Sequence, residues 1–206
     1  MQNTKSTNIQ ISRQIIRFGQ IFLWLFSKLL VNLFFHVKPD KKVVVPEMTK
    51  PTIIISNHIS LFDASIFVGS LSWQEFRNIS PLRAMLAKWY YYSPLFPVTY
   101  LIGCYPARPL IPAWKKYSGT SGSVRHLNSG SSVGLYPEGQ RTPDKRIKTK
   151  YGAVKILKQL DDPTVYLCRI EKLGKRKYEV VVDRNDSVAK LDNPDEIMDA
   201  VYALKK

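Results

Sequence analysis

The hydrophobic pattern changes period along the chain, and the change divides it. Residues 14–37, QIIRFGQIFLWLFSKLLVNLFFHV, are the most apolar stretch, and their polar positions recur with a helical period. At roughly 100° per residue, Arg17, Gln20, Trp24, Ser27, Lys28 and Asn32 fall on one stripe about 140° wide. Phe18, Ile21, Phe22, Leu25, Phe26, Leu29, Leu30 and Leu33 fill the rest of the circumference. The polar breaks leave no uninterrupted run of the roughly 20 apolar residues that a spanning helix requires. The pattern predicts an amphipathic helix over residues 1–37, lying at a bilayer interface or dipping into one leaflet. The competing reading is a helix packed on the protein's own core. A cleavable signal peptide fits less well, because no small-residue cleavage site follows. Residues 38–50, KPDKKVVVPEMTK, read as a basic, proline-punctuated linker, and residues 51–206 as one folded domain.

Beyond the linker, short β-branched runs alternate with helical periods. Strands are expected near 43–45, 51–56, 97–104, 131–136, 163–170 and 177–183. Helices are expected near 61–71, 121–129, 150–160 and 194–204. This alternation predicts an α/β domain with a mostly parallel β-sheet flanked by helices. The stretch SGTSGS (118–123) reads as a flexible loop capping the helix that carries Arg125 and His126. The last segment, DNPDEIMDAVYALKK, reads as a capped amphipathic helix that closes the domain, with no chemistry assigned to it.

Composition narrows the partners. The chain has 206 residues and a net charge of +15, of which +6 lies in residues 1–50 and +9 in residues 73–150. Such a surface favours anionic partners: lipid headgroups, phosphorylated small molecules, an acidic carrier protein or nucleic acid. Nucleic acid is set aside, because no recognisable module appears and the aromatic residues cluster with Phe and Leu instead of alternating with cations. Two cysteines, Cys104 and Cys168, make no disulfide framework and point to a reducing compartment. The three histidines are scattered, so no metal site is expected. A serine-hydrolase reading fails for want of a G-x-S-x-G elbow. No pattern assigns an oligomeric state.

Candidate chemistry sits in two strings. In NHISLFD (57–63), His58 follows a buried strand, while Ser60 and Asp63 have the S-x-x-D form of a helix N-cap. Five residues apart within one helix, His58 and Asp63 would point about 140° away from each other. With the histidine before the helix and the aspartate in its first turn, the two can meet. A carboxylate on one ring nitrogen then leaves the other as a general base. In SSVGLYPEGQRTP (131–143), a strand ends in a Pro-Glu-Gly turn, leaving Glu138 to accept from a polyol hydroxyl and Arg141 to grip a phosphate. Lys145, Arg146, Lys148 and Lys150 follow, and a run of this kind is usually a solvated face. Between the strings, LAKWYYYSPLFPVTYLIGCYPARP is aromatic-rich and suits core, a membrane-interface belt or the wall of an acyl-chain tunnel. Arg108 in its closing turn is a candidate phosphate contact.

NHISLFD followed by LYPEGQR resembles the glycerolipid acyltransferase family, best known through lysophosphatidate acyltransferases, which pairs N-H-x-x-x-x-D with a later F-P-E-G-T-R. GCYPARP, with Gly103 and Arg108, and AKWYYYSPLF, with Lys88 and Pro94, are similar to the family's intervening elements. Gln140 stands where the family has threonine, and VYLCRI (165–170) lacks the family's strand proline. The resemblance covers roughly residues 50–170. It implies that His58 is the general base and Asp63 its orienting partner, acting without an acyl-enzyme. Glu138, Gly139 and Arg141, with Arg108, would hold the acceptor's glycerol phosphate, and Asn57 and Lys88 are further expected substrate contacts. It further implies acyl-CoA or acyl-carrier protein as donor, no cofactor or metal, and residence on the cytoplasmic face of a membrane as a monotopic protein among membrane lipids. The alternative is a membrane-binding scaffold that has kept the fold and lost the reaction.

Overall fold

All five residues of Thr52–Ser56 are buried, as expected of a β-branched strand covered on both faces. That strand lies in the middle of a seven-stranded sheet. In the computed structural model, residues 2–39, 50–142 and 147–204 are described. The strand expected at 43–45 and the cations Lys145 and Arg146 fall outside them. The strands are β1 (His36–Pro39), β2 (Thr52–Ser56), β3 (Leu82–Leu86), β4 (Cys104–Pro106), β5 (Ser132–Leu135), β6 (Thr164–Gly174) and β7 (Lys177–Arg184), in the order β1-β7-β6-β2-β5-β3-β4. From β6 to β4 every neighbouring pair is parallel; β7 runs antiparallel to β6 and parallel to β1.

Helices cover both faces: α1 (Gln2–Phe34), α2 (Asp63–Ser70) and α3 (Trp73–Ile79) on one, and α6 (Gly119–Asn128), α7 (Gly152–Leu157) and α8 (Pro194–Ala203) on the other. Alternation along β2 separates the two cores, Ile53 and Ile55 facing the α6 side and Ile54 the α2 side. Two short helices, α4 (Lys88–Tyr91) and α5 (Phe96–Leu101), precede β4. Residues 97–104, expected as a strand, are therefore mostly helix. Pro97 in the first turn suits a helix start, where a missing N–H costs nothing. The expected loop at 118–123 is instead the opening of α6, where Ser123 is fully buried and its hydroxyl meets that of Tyr105 at 2.6 Å. The residues read as helix end and linker start, 36–39, extend the sheet as β1.

The long helix α1 is packed the opposite way round from a helix in a water-soluble core. Gln20, Trp24 and Ser27 of its polar stripe face the protein, beside the buried Ile16 and Val31. Gln20, almost fully buried, donates to the carbonyls of Leu82 and Ile102 and accepts the Leu82 N–H. Trp24 Nε1 donates to the Leu71 carbonyl, and Arg17 to that of Ser80. Outward point Phe18, Ile21, Phe22, Leu25, Phe26, Leu29, Leu33 and Phe34. Residues Arg13–Phe34 are long and apolar enough to cross a membrane by length and composition, with only 22% of the segment buried in the protein.

Where α1 crosses α2 the backbones approach closely. A Cβ at Gly69 would lie 2.6 Å from Val31 Cγ2 and 2.7 Å from the Ser27 carbonyl oxygen. Gly69→Ala should therefore destabilise the fold by about 1–3 kcal/mol, the usual cost of overpacking. Urea unfolding followed by tryptophan fluorescence checks this, since Trp24 packs against Trp73 beside the crossing. An unchanged midpoint would mean that the crossing tolerates extra volume.

Candidate active site

Four adjacent parallel strands, β2, β5, β3 and β4, end at the same edge of the sheet. The residues just past their carboxyl ends are those the sequence singles out: Asn57 and His58 after β2, Glu138 to Arg141 after β5, Lys88 after β3 and Arg108 after β4. Ligands of α/β sheets gather at such an edge.

The centre of the edge is built on one buried carboxylate. Asp63 is the first residue of α2 and fully buried. Its Oδ2 accepts the Ile59 N–H at 2.7 Å and the Ser60 N–H at 2.9 Å, and its Oδ1 accepts the Ser60 hydroxyl at 2.6 Å. His58 Nδ1 lies 2.7 Å from Oδ2. An acceptor already serving these donors assigns the proton to Nδ1, which leaves the Nε2 lone pair for chemistry. Ser60 is not the helix cap that S-x-x-D predicts; the helix starts after Phe62, and Ser60 donates to Asp63 while Asp63 gathers the loop. The imidazole stacks on the Tyr136 ring, with centroids 4.3 Å apart. Burial, then the nearby Asp63 charge, raises the Tyr136 phenol well above its ordinary pKa, so the stacking partner stays neutral.

The histidine's backbone is fixed as firmly as its ring. The His58 N–H donates to Glu138 Oε2 at 3.0 Å, and the His58 carbonyl accepts the Thr142 N–H at 2.7 Å. Glu138 is fully buried, and its other oxygen accepts the Tyr202 hydroxyl at 2.7 Å. Glu138 therefore ties the two motif loops together and to α8, instead of presenting its carboxylate at the edge. Asn57 is also buried, and its amide exchanges two hydrogen bonds of 2.8 Å with the backbone of Ile170, carrying the β2–β6 pairing one residue further. Both residues are expected from sequence as substrate contacts, and the structure places them as braces of the loop. Gly139 turns the chain with φ +68°, a region that favours glycine, with the Lys150 side chain lying over it.

Arg108 and Arg141 are exposed and have no side-chain partner among the described residues; Lys88 is half-buried, its ammonium 5.6 Å from the Trp89 ring centre. The intervening aromatic segment is divided between a cavity wall and exposed surface. Tyr91, Tyr92, Phe96, Tyr100 and Tyr105 line a cavity of about 1270 Å³ that reaches Pro106 and Leu110, flanking Arg108. Trp89, Tyr90, Leu95 and Val98 are exposed. The other candidate nucleophiles and bases are muted. Burial raises the Cys168 thiol to about 12 and the Cys104 thiol to about 11. Burial, followed by Arg83 and Arg125, holds His126 down at about 3. Among the described residues, no three His, Cys, Asp or Glu side chains come together as a metal site.

Tyr202, Thr142 and the Ile170 backbone complete the site, and none is singled out by sequence. Tyr136 stood beside the Pro-Glu-Gly turn, and an aromatic residue next to a site loop is the one signal that would have found it.

A family model described as Acyltransferase matches residues 36–170, which span both motif strings and six of the seven strands. No curated protein matches the chain. Among solved structures, the crystal structure of the 1-acyl-sn-glycerophosphate (LPA) acyltransferase PlsC from Thermotoga maritima superposes with a TM-score of 0.56. It covers all of this chain and 86% of the other at 15% identity, so what the two share is the fold. With the family match extending over most of its length and including the loop and helix that carry His58 and Asp63, the chain belongs to the acyltransferase family.

Proposed function

We propose that this enzyme transfers a fatty acyl group from a thioester, acyl-CoA or acyl-carrier protein, to the free hydroxyl of a lysophospholipid at a membrane surface, with 1-acylglycerol-3-phosphate as acceptor and phosphatidate as product. The observation that carries this reading is the His58–Asp63 pair, at 2.7 Å, on a strand edge where Arg108 and Arg141 stand exposed. His58 Nε2 removes the acceptor's hydroxyl proton as the oxygen attacks the thioester carbonyl carbon. The tetrahedral intermediate collapses by breaking the carbon–sulfur bond, and the leaving thiolate takes the proton back from His58. Asp63 stabilises the imidazolium that forms between the two steps. Arg108, Arg141 and Lys88 supply the positive charge for the acceptor's phosphate, and guanidinium groups match phosphate oxygens bidentately.

Several features support the membrane setting and the acceptor class. The outward face of α1 is a band of Phe and Leu, and Leu61 and Phe62, in the loop that carries His58, are 68% and 42% exposed. Phe62 packs on Phe35 just past the end of α1, which links that band to the catalytic loop. The Thermotoga maritima protein of the same fold acts on 1-acyl-sn-glycerophosphate. The aromatic-walled cavity beginning near Arg108 is the receptacle we assign to an acyl chain.

His58→Ala should lower acceptor-dependent thiol release from palmitoyl-CoA about 10²–10⁴-fold, the usual contribution of a general base. Equal activity in the variant, or silence of the wild type across lysolipids and both donors, would sink the reaction and favour a scaffold that has kept the fold. Glu138→Gln and Tyr202→Phe should lower kcat with little change in acceptor KM, because both residues hold His58 and neither meets the substrate; a rise in KM alone would assign Glu138 to the acceptor. Since burial keeps both thiols protonated, iodoacetamide at neutral pH should leave Cys104 and Cys168 unmodified and activity intact. Rapid inactivation with one site labelled would instead point to a thioester on the enzyme.

A further inference from the structure

At the opposite edge of the sheet from His58 lies a second opening. It has a volume of about 920 Å³ and is bounded by the residues that lead into β2, β3 and β5: Lys50 and Pro51, Ser80, and Gly130 with Ser131. Four cations line it, Arg13 and Arg17 from α1, Arg77 from α3, and Lys50. Among the described residues no carboxylate lines it; Lys50 is paired with Asp162 outside the opening. Arg13 donates one bond to the Gly130 carbonyl and Arg17 one to the Ser80 carbonyl, so each guanidinium keeps further N–H groups for a ligand. Arg77 is exposed and has no side-chain partner among the described residues. Ser131, 1% exposed, borders the same opening with its hydroxyl buried and unpartnered among the described residues. A buried hydroxyl without a partner is costly, and Arg13 and Arg17, four apart on one helix, repel each other. An anion that accepts hydrogen bonds would relieve both.

The rim says which anion. Ile21 lines the opening and belongs to the outward apolar face of α1, and Trp73, 42% exposed, stands beside it. An indole at the border between an apolar band and a cluster of cations is the arrangement that sits at a headgroup level. The helix also crosses the sheet from one edge to the other. Arg13 and Arg17 reach the amino-terminal ends of β5 and β3, whereas Phe35 meets Phe62 past the carboxyl end of β2. A helix lying in the plane of a bilayer therefore brings both edges to its surface.

We propose that this cavity is a second phosphate site, separate from the catalytic edge, that takes the headgroup of an anionic phospholipid and fixes the orientation of the enzyme on the membrane. The proposal rests on the reading that α1 lies in the bilayer, but not on the acyl-transfer chemistry. The test is co-sedimentation of the full chain with phosphatidylcholine vesicles, with and without phosphatidylglycerol, a lipid that is neither acceptor nor product of the proposed reaction. The pair Arg17→Gln and Arg77→Gln is compared with Lys115→Gln and Lys116→Gln, an equal loss of charge at exposed positions outside the cavity. A diffuse basic surface would lose roughly fivefold in affinity per charge at either place. The cavity pair should lose at least tenfold more of the phosphatidylglycerol-dependent binding than the control pair, and keep its binding to neutral vesicles. Equal losses would overturn the proposal. Arg77→Gln alone repeats the comparison without disturbing the Arg17–Ser80 contact, and decides the matter if the double variant unfolds. Inorganic phosphate, titrated without vesicles against chloride at equal ionic strength, separates the sources: phosphate binding that the cavity pair loses while its phosphatidylglycerol-dependent binding stays at the control pair's level would assign the cavity to free phosphate and overturn the headgroup. Thiol release on detergent-dispersed substrate should be unchanged in Arg77→Gln, which keeps failure of this site distinct from failure of the catalytic reading.

Discussion

A carboxylate removed from water must be met by donors, and the site is organised around meeting this one. Burying an unpaired charge costs several kcal/mol even after relaxation, roughly the scale of a domain's net stability. Asp63 meets the requirement with two backbone N–H groups, a hydroxyl and an imidazole, all supplied by residues 58–60. The loop therefore has little freedom. To serve the carboxylate it must curl back over the start of α2, and His58 is carried into place as one of the donors. The backbone of His58 is then held from the other side by Glu138 and Thr142, so His58 is positioned by two loops that are distant in sequence. A site whose first residue is over-determined in this way is pre-organised before any substrate arrives.

The packing of α1 follows a different logic, in which backbone-directed hydrogen bonds join the hydrophobic contacts of Ile16, Leu23 and Val31. Gln20 satisfies three backbone groups between α5 and β3, and its neighbours on the stripe bond to carbonyls at the ends of α2 and α3. If an apolar face were buried instead, the polar stripe would be left outward and α1 would be an ordinary surface helix. Turning the polar face inward leaves a contiguous exposed Phe and Leu band, far more than a soluble monomer usually shows. The amphipathic pattern was legible in the sequence, but its orientation was not. Periodicity reports that a helix has two faces and is silent on which of them the protein keeps.

The same distinction between local and distant information runs through the rest of the chain. Turn and strand signals close to the chemistry were legible, because the Pro-Glu-Gly turn, the TIII run and the helix beginning at Asp63 are decided by neighbouring residues. Strand β3 was not expected, since LRAML carries at its second position an arginine, which is buried and lines the aromatic-walled cavity. Residues 97–104 share strand-like composition with helix α5, and the choice falls to Pro97 and to packing on Gly19 of α1, where the two backbones touch. Asn57 and Glu138 show the limit most directly. Their types suit a ligand as well as they suit a backbone brace, and their partners lie 113 and 80 residues away. No pattern in a single sequence carries that distance.

These two kinds of constraint meet at Phe62. It follows the donors that serve Asp63, and it packs against Phe35 just past the end of α1. The loop that must fold back to satisfy a buried charge is thus also the loop that α1 grips. A displacement of α1 would be felt first by the backbone between Ile59 and Phe62, and through it by the donors on which the orientation of His58 depends. The end of α1 and the loop that carries His58 are in this way joined by direct contact. The sheet, the Asn57–Ile170 bonds and the Glu138 bridge hold the far side of the loop, and the Phe35–Phe62 contact holds the near side, so the loop that satisfies the buried charge is braced on both flanks.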